Sequence, residues 1–385
     1  LKALIHIPET LLLSEMTHEV CEILPVPIVT KEIAEDLNFP KVELHLHLDG
    51  AARHETLLDL SLEKGISLKG AKTVEEVRRV VTVHKPSNLA DMLTPFDIFL
   101  PVMVGDKDAI ERVAYELCED QSKVGVIYFE ARYSPHLLSN TVDNLTAKSP
   151  AGAFKGKGPL EPRGVIEAVK RGFDRGETAF GVKARSILCC ICGYPDWNNE
   201  VLELAKSSSL LGVVGIDVAG CSQGADEQYE PNILGVFQTA AKLGIHRTMH
   251  AGESGGVKEV VKAIDEMKAE RIGHGYRLVL DEGEYRKYAI EKRIHLETCP
   301  YSSVMTGSVK LDWKNHPIAR FAADDINFSI NTDDTTCFEN TLLTEYELAR
   351  KEIGLTKRQL WKCVSTFRQC HSLNDSSTDI IYAHL

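Results

Sequence analysis

The sequence lacks any run of about 18 or more apolar residues, the length that a helix needs to span a membrane. It also lacks a block of lysine and arginine: 44 basic side chains stand against 56 acidic ones, and the formal net charge is −12. A negative field repels the phosphate backbone of nucleic acid. We therefore expect neither a membrane span nor a nucleic-acid partner.

The first residues also lack a recognisable secretion signal. Leu1–Leu13 has no basic leader and no small-residue cleavage site. Because the chain begins without Met, the sequence is also compatible with the removal of a preceding segment. Ten cysteines occur in 385 residues, several of them inside apolar runs such as Ile187–Cys192. Cys189 and Cys192 have the spacing of half a zinc knuckle, but no second Cys-x-x-Cys accompanies them. This usage indicates reduced thiols and a cytoplasmic location.

Eight short, β-branched and apolar runs are present, with helical patterns after most of them. They are Val42–Leu48, Val126–Tyr133, Val182–Ile191, Val213–Val218, His246–His250, Arg271–Gly275, Ile294–Thr298 and Ile326–Asn331. Apolar strands that alternate with helices are typical of a closed parallel barrel, because both faces of each strand are buried. We predict an α/β fold, a (β/α)8 TIM barrel, over residues 41–367.

Three segments fall outside this alternation. Residues 1–40 are predicted to form an N-terminal arm, and residues 368–385 a divergent C-terminal tail. Residues 50–123 are too many for one crossover helix and should form a helical cap, inserted after the first strand near the barrel mouth. Within the cap, four apolar residues at helical spacing predict one helix face, which either packs on a neighbour or forms a lid over a substrate: Leu89, Met92, Leu93 and Phe96.

Polar residues stand at the C-terminal ends of several predicted strands, where barrels of this class carry their active sites. His45 and His47 are two positions apart, so a strand directs both imidazoles to one face. Others follow the fifth, sixth and eighth runs: His250, Glu253, His274, Asp333 and Asp334. Any one of them could cap a helix, but so many at one mouth favour a functional site.

This set of side chains suits metal-assisted hydrolysis. Three neutral imidazoles and one carboxylate match Zn²⁺ in a catalytic site that keeps a position open for water. The ion lowers the pKa of that water from about 15.7 to about 7. A further histidine can take the proton, and an acid such as Glu253 can protonate the group under attack. Because successive strand residues point to opposite faces, we interpret Asp333 as a ligand and Asp334 as a substrate contact.

Four motifs together resemble the adenosine deaminase family of the amidohydrolase superfamily. They are Lys41–Gly50, His250–Glu253, Gly273–Gly275 and Asn331–Asp334. Phe129–Pro135 and Val182–Leu188 also look like the animal cytosolic type. The resemblance covers about residues 40–355.

The resemblance implies a zinc enzyme of purine salvage that converts adenosine and 2′-deoxyadenosine to inosine and deoxyinosine by hydrolysis. It implies one zinc ion per chain, bound by four residues: His45, His47, His250 and Asp333. Glu253 would protonate purine N1, and His274 would act as base toward the attacking hydroxide. The remaining substrate contacts would be His47, Gly220 at N3, Asp334 at N7, and the lid residues Leu89, Met92, Leu93 and Phe96.

Asp49 narrows the substrate that the resemblance implies. Relatives acting on purine nucleoside phosphates have Asn here and adenine deaminases have Glu, whereas Asp contacts the ribose 5′-hydroxyl. A carboxylate about 4 Å from a phosphate charge costs about 4 kcal/mol at an effective dielectric constant near 20. We predict a strong preference for adenosine over AMP. Other nucleosides with an unphosphorylated 5′ position remain alternative substrates.

The chain departs from the family pattern in places. Met92 replaces the usual Phe, Cys221 stands where an acidic residue is usual, and Trp361 and Lys362 replace an Asn-Ala pair. The tail from Arg368 does not match at all. Because of these changes, the family pattern does not predict three features of this chain: the stacking on the substrate, the hydrogen bonding after Gly220 and the packing of the closing helix.

Three other classes of protein fit less well. A binuclear amidohydrolase needs a bridging lysine at the end of a middle strand, whereas Lys183 lies at the start of one. Cytidine-type deaminases need Pro-Cys-x-x-Cys after His-x-Glu, and only His295–Glu297 matches. A catalytically weak, growth-factor-like binding protein should have lost a ligand or the acid, and this sequence retains them all.

Overall fold

The computed structural model describes Val26, Thr30 and residues 35–83, 85–141, 160–220 and 231–365. Eight parallel strands follow each other round one sheet in chain order, as predicted for a (β/α)8 barrel. The strands are β1 Lys41–His47, β2 Val126–Tyr133, β3 Lys183–Ile191, β4 Val213–Ala219, β5 His246–Ala251, β6 Arg271–His274, β7 His295–Thr298 and β8 Phe328–Ile330. Their apolar side chains are buried, which explains the continuous hydrophobic runs.

Helices lie between the strands. The α-helices span His54–Lys64, Val74–Val81, Leu89–Met92, Phe96–Phe99, Lys107–Lys123, Pro135–Leu138, Pro162–Phe180, Pro195–Ser207, Pro231–Leu243, Val257–Asp265, Glu282–Tyr285, Pro300–Met305, Pro317–Ala323, Thr335–Phe338, Leu342–Leu348 and Lys357–Ser365. Short 3₁₀ segments span Leu100–Val102, Ser209–Leu211, Tyr276–Leu280 and Trp313–Asn315, and π-helical turns span Arg286–Glu291 and Ala349–Ile353.

The two long helices that flank β2 show how local sequence sets their ends. Asp106 caps the helix Lys107–Lys123, because its carboxylate accepts hydrogen bonds from the Asp108 and Ala109 amides. Pro162 opens the second helix, where its missing N–H costs nothing, and Gly181 ends it in the left-handed conformation. The helix ends at Lys123 and Phe180 are followed within three residues by the starts of β2 and β3.

The barrel closes between β8 and β1 through an irregular seam. The Asp333 N–H donates to the His45 carbonyl at 3.1 Å, and the His47 N–H donates to the Asp333 carbonyl at 3.0 Å. Further down the seam, Asn331 Oδ1 accepts from the Leu44 and His45 amides at 2.8 and 3.2 Å. Three predicted metal ligands, His45, His47 and Asp333, therefore belong to the closing seam itself.

The predicted lid helix is interrupted. Leu89–Met92 and Phe96–Phe99 are separate short helices with Leu93, Thr94 and Pro95 between them. Pro95 has no backbone N–H to continue an i to i−4 ladder, and proline also disfavours the helical region for the residue before it. The expectation of one continuous helix face is wrong, although all four apolar residues still face the same cavity.

Several predicted segments fall outside the described residues. They include most of the N-terminal arm 1–40, residues 142–159, Cys221 and the tail 368–385. The division of the chain into arm, barrel with cap, and tail therefore remains a proposal. Among the helices that the structure describes, none combines the length and the hydropathy that crossing a bilayer requires.

Candidate active site

Four side chains converge where β1, β5 and β8 end. The nitrogens His45 Nε2 and His47 Nε2 each lie 3.4 Å from Asp333 Oδ1, and His47 Nε2 lies 3.2 Å from His250 Nε2. A tetrahedral ion with bonds of roughly 2.0–2.1 Å would separate its ligand atoms by about 3.3 Å. The spacing therefore matches a four-ligand metal site. His45 Nε2 is buried and has no hydrogen-bond partner among the described residues, which also suits a ligand atom.

Two buried carboxylates behind the histidines orient the rings. His45 Nδ1 lies 2.8 Å from Glu297 Oε2, and His250 Nδ1 lies 2.9 Å from Asp217 Oδ2. With the Nδ1 proton directed at a carboxylate, Nε2 keeps its lone pair for a metal ion. Burial holds the pKa of His47 well below its usual range, so this imidazole is neutral as well.

Arg132 connects these supporting carboxylates. Its guanidinium donates to Asp217 at 2.8 Å, to Glu297 at 2.6 Å and to the Leu44 carbonyl at 2.7 Å. Arg132, Asp217 and Glu297 are all completely buried. Burial alone would raise the pKa of Glu297, but the charges of Arg132 and Arg271 hold it well below its usual range. A charged network inside the barrel therefore keeps the two carboxylates that pair with the histidines, Asp217 and Glu297, ionised.

Glu253 and His274 lie beside the four converging side chains rather than among them, at the ends of β5 and β6. Their nearest atoms, Glu253 Oε2 and His274 Nε2, are 3.5 Å apart. Burial, and then the charge of Asp333, raise the pKa of Glu253 to about 8, so at neutral pH it carries a proton. Burial holds the pKa of His274 well below its usual range. A protonated acid and a neutral base thus stand side by side.

A second grouping of possible metal ligands overlaps the first. It combines His45 and Asp333 with His274 and Cys299. His47 and His250 line the cavity at the barrel mouth, where a substrate can reach a bound ion, whereas Cys299 does not line it. The set with His47 and His250 is therefore the better metal site.

Backbone strain is concentrated at two of these residues. His274 has φ +66° and Asp333 has φ +72°, both in the left-handed region that side chains rarely adopt. Such a conformation costs on the order of 1–3 kcal/mol and persists only where the surroundings enforce it. Each residue leaves its strand in this conformation, which turns its side chain toward the barrel mouth.

A cavity of about 250 Å³ opens above the four ligands. It has room for about eight waters at ~30 Å³ each, and so for a small organic molecule. Every predicted site residue except the deeper His45 lines it: His47, Asp49, Leu89, Met92, Leu93, Phe96, Gly220, His250, Glu253, His274, Asp333 and Asp334. The sequence did not indicate the remaining lining residues: Asp97, Leu100, Leu137, Ile191, Cys192, Tyr194 and Ala219.

The polar residues around the cavity differ in their charge state. Burial raises the pKa of Asp49 to about 6, and its Oδ2 accepts a 3.4 Å hydrogen bond from the Ser134 amide. Burial, with the charges of Asp333 and Asp49, raises the pKa of Asp334 well above its usual range. This shift favours the protonated carboxyl group, which can donate a hydrogen bond. Gly220 has φ +96°, which brings bare backbone to the cavity wall.

Gly50 makes room for Asp334, and this close approach yields a prediction. A Cβ at position 50 would lie 1.9 Å from Asp334 Oδ1. Gly50→Ala should therefore displace the Asp334 carboxyl and lower kcat/KM by about 10²-fold, since small misplacements have effects of that size. The metal content should stay at the wild-type level, and steady-state kinetics with metal analysis measure both.

Gly235→Ala is the matched control, because a Cβ there meets nothing within 4 Å. Its kcat/KM should equal that of the wild type. Unchanged kinetics of Gly50→Ala would show that the position of Asp334 is unimportant.

The supporting residues Asp217, Glu297 and Arg132 were missed as functional residues in the sequence. Each lies within a strand rather than at its end, where a polar residue is commonly structural. Their only local signal is charge inside an otherwise apolar strand, since buried charges require partners.

A parallel barrel whose strand ends bring three imidazoles and one carboxylate together has the fold and the type of metal-binding site of an amidohydrolase. A solved amidohydrolase from Burkholderia ambifaria with bound Zn has the same fold: the TM-score is 0.77 at 21% identity, over 94% of each chain.

The family follows from the sequence comparison. The adenosine deaminase family model matches residues 40–369, and the chain belongs to the adenosine deaminase family. It is 43% identical to mouse adenosine deaminase over 84% of this chain and 89% of the mouse protein. The zebrafish adenosine deaminase is also 43% identical, over 83% of this chain and 87% of that protein. A solved N6-methyl-AMP deaminase from Arabidopsis thaliana has a TM-score of 0.72 at 25% identity, over 92% of this chain and 97% of that one.

Proposed function

We propose that this enzyme hydrolyses adenosine and 2′-deoxyadenosine to inosine and deoxyinosine, with one zinc ion per chain. The observation that carries the proposal is the position of Glu253 and His274, whose nearest atoms are 3.5 Å apart, beside a group of four side chains that could hold a metal ion. Adenosine deaminases from mouse and zebrafish are similar over more than four fifths of the chain, which supports the same substrate class.

The proposed zinc ligands are His45, His47, His250 and Asp333. Their donor types and their spacings of 3.2–3.4 Å suit Zn²⁺, which prefers tetrahedral nitrogen and oxygen ligands. When bound, the ion supplies Lewis acidity, which makes water a stronger nucleophile at neutral pH.

Glu253 and His274 divide the proton transfers between them. In the proposed reaction, Glu253 donates its proton to purine N1, which makes C6 electron-poor and open to attack. His274, neutral because burial lowers its pKa, accepts a proton from the attacking water, whose oxygen bonds to C6. The C6–N bond then breaks, and the amino group leaves as ammonia with the proton that His274 took up. The proton that remains on the C6 oxygen returns to Glu253. Both side chains are buried, so bulk water does not compete for these protons.

The remaining contacts orient the purine. N7 is an acceptor, so the group that binds it must donate, and a protonated Asp334 fulfils that requirement. The backbone N–H of Gly220 is the proposed donor to N3. His47 adds contact beside the reaction centre, and the lid residues cover the base with apolar side chains: Leu89, Met92, Leu93 and Phe96.

Asp49 is the proposed partner of the ribose 5′-hydroxyl. It is 6% exposed, and Oδ1 has no hydrogen-bond partner among the described residues, so it can accept from a hydroxyl group. A second carboxylate, Asp97, lines the cavity, and the described lining residues include neither Lys nor Arg. A phosphate group would thus meet negative charge without compensation.

Discrimination against phosphate should be measurable. We expect kcat/KM for adenosine to exceed that for AMP by about 10³-fold, which corresponds to the roughly 4 kcal/mol repulsion between Asp49 and a phosphate charge. Asp49→Asn keeps the shape of the side chain and removes its charge, so it should lower the ratio of kcat/KM for adenosine to kcat/KM for AMP. Comparable turnover of adenosine and AMP by the wild type would contradict the assignment.

The proposed function is tested on the purified full chain. Zinc is measured by metal analysis, and deamination by ammonia release with adenosine, 2′-deoxyadenosine, 5′-methylthioadenosine, AMP and adenine side by side. We expect near one equivalent of zinc and rapid turnover of the first two compounds. Bound zinc without turnover of any of the five would refute catalysis and favour a binding role.

We also propose that the enzyme acts in the cytoplasm, in purine salvage. Seven cysteines in the described residues are free thiols, and six of these are buried, which suits a reducing compartment. Fractionation with an activity assay would test this location; activity confined to the secreted fraction would oppose it.

A further inference from the structure

Thr332, the residue before Asp333, is held on three sides by buried side chains that the proposed reaction does not use. Its N–H and its hydroxyl both donate to Glu43 Oε1, over 2.7 and 2.5 Å. Its carbonyl accepts from Asn340 Nδ2 at 2.9 Å. The same amide nitrogen of Asn340 donates to Glu345 Oε1 at 2.8 Å. We name Glu43, Thr332, Asn340 and Glu345 the Thr332 clamp.

Stability alone does not account for the clamp. Glu43 and Glu345 are 0% and 1% exposed, and within the part of the chain that the structure describes neither forms an ion pair with Lys or Arg. Taking a carboxylate out of water is costly unless a charge compensates it. Both carboxyl groups therefore lie in the interior without a cationic partner among the described residues, and each accepts hydrogen bonds from the other clamp residues.

The clamp acts on the backbone that enters the strained residue. Glu43 holds the Thr332 N–H, and Asn340 holds the Thr332 carbonyl, which belongs to the peptide joining it to Asp333. Asp333 then adopts φ +72° and bonds to β1 on both sides, through the His45 carbonyl and the His47 amide. Rotation of the Thr332–Asp333 peptide would swing the Asp333 carboxylate away from both imidazoles.

We propose that the Thr332 clamp is a positioning device that holds Asp333 in its left-handed conformation and thereby sets the affinity of the site for zinc. The proposal rests on the proposed function only in taking zinc as the ion. None of the four clamp residues lines the substrate cavity. Weakening the clamp should therefore leave KM for adenosine unchanged, and kcat should recover at saturating zinc.

The decisive comparison uses two substitutions at one position. Thr332→Val keeps the shape and removes the hydroxyl that donates to Glu43, whereas Thr332→Ser keeps that hydroxyl. The zinc Kd of each full-length variant is measured by chelator competition. We expect Thr332→Val to bind zinc 10- to 100-fold more weakly, which is the usual effect of losing a residue that holds a metal ligand in place. Thr332→Ser should bind zinc with about wild-type affinity.

Thr56→Val is the matched control. Thr56 is also fully buried, and its hydroxyl donates to the Glu116 carboxylate at 2.5 Å, but it lies on the helix His54–Lys64 outside the cavity. Thr56→Val should lower Tm and leave the zinc Kd unchanged. Glu43→Gln, which retains an acceptor oxygen, should bind zinc more tightly than Glu43→Leu.

The outcomes separate the clamp from the proposed function. A Thr332→Val variant that loses stability but binds zinc like the wild type would overturn the clamp. The clamp would also be overturned if Thr56→Val weakened zinc binding as much as Thr332→Val does. A wild-type chain that binds zinc without deaminating adenosine refutes the proposed function, while the comparison of zinc affinities still decides the clamp. A wild type that binds no zinc overturns both.

Discussion

Glu253→Gln is expected to lower kcat for adenosine by about 10²–10⁴-fold while the chain keeps its bound metal, because that range is the usual contribution of a general acid. Glutamine has the shape of glutamate but cannot deliver a proton to N1. Glu253 is 5% exposed, and burial raises its pKa, so the wild-type side chain carries that proton at neutral pH. Steady-state kinetics and metal analysis of the same preparation measure both effects.

Glu270→Gln is the control for this substitution. Glu270 precedes β6 at the other end of the barrel, where it pairs with His246 and Arg247. Removing its charge should leave kcat unchanged. A Glu253→Gln variant whose kcat stays within tenfold of the wild type would remove Glu253 from the role of proton donor.

Asp333→Asn is expected to weaken zinc binding by more than 100-fold, beyond the 10- to 100-fold effect of losing an outer partner. Without added zinc, activity should fall by about 10³-fold or more, since the ion contributes several kcal/mol of stabilisation. Asparagine tolerates the left-handed conformation and keeps an acceptor for the Ser302 hydroxyl, which donates to Asp333 Oδ2 at 2.6 Å. The loss therefore reports the missing charge rather than a backbone change.

Asp325→Asn is the matched control, because Asp325 is also left-handed, with φ +57°, but lies before β8 at the opposite end of that strand. Its zinc Kd and kcat should equal those of the wild type. Retention of tight zinc binding by Asp333→Asn would exclude Asp333 from the ligand set, and the grouping with the three histidines would then fail.

Local patterns predicted the barrel well, for a physical reason. A strand buried on both faces must be apolar along its length, so the eight runs were visible without tertiary information. Their predicted ends differ from the observed ones by up to two residues, as with Ile326–Asn331 against Phe328–Ile330. Strand ends depend on pairing across the sheet, as in the seam where the Asn331 side chain replaces ladder bonds.

The lid illustrates where periodicity is insufficient. Four apolar residues at helical spacing predicted one helix, but Pro95 divides it into two. The side chains still meet at the cavity because tertiary packing holds both short helices against the barrel mouth.

The sequence by itself determined the fold class and predicted which polar side chains would meet at the barrel mouth. The spacing of His45 and His47 follows from strand geometry, and parallel strands end at one mouth. Only the tertiary structure decided which groups support them. Glu297, Asp217 and the Thr332 clamp act across the barrel, between residues up to 289 positions apart. Hydrogen bonds of that range depend on barrel closure, and no local pattern encodes them.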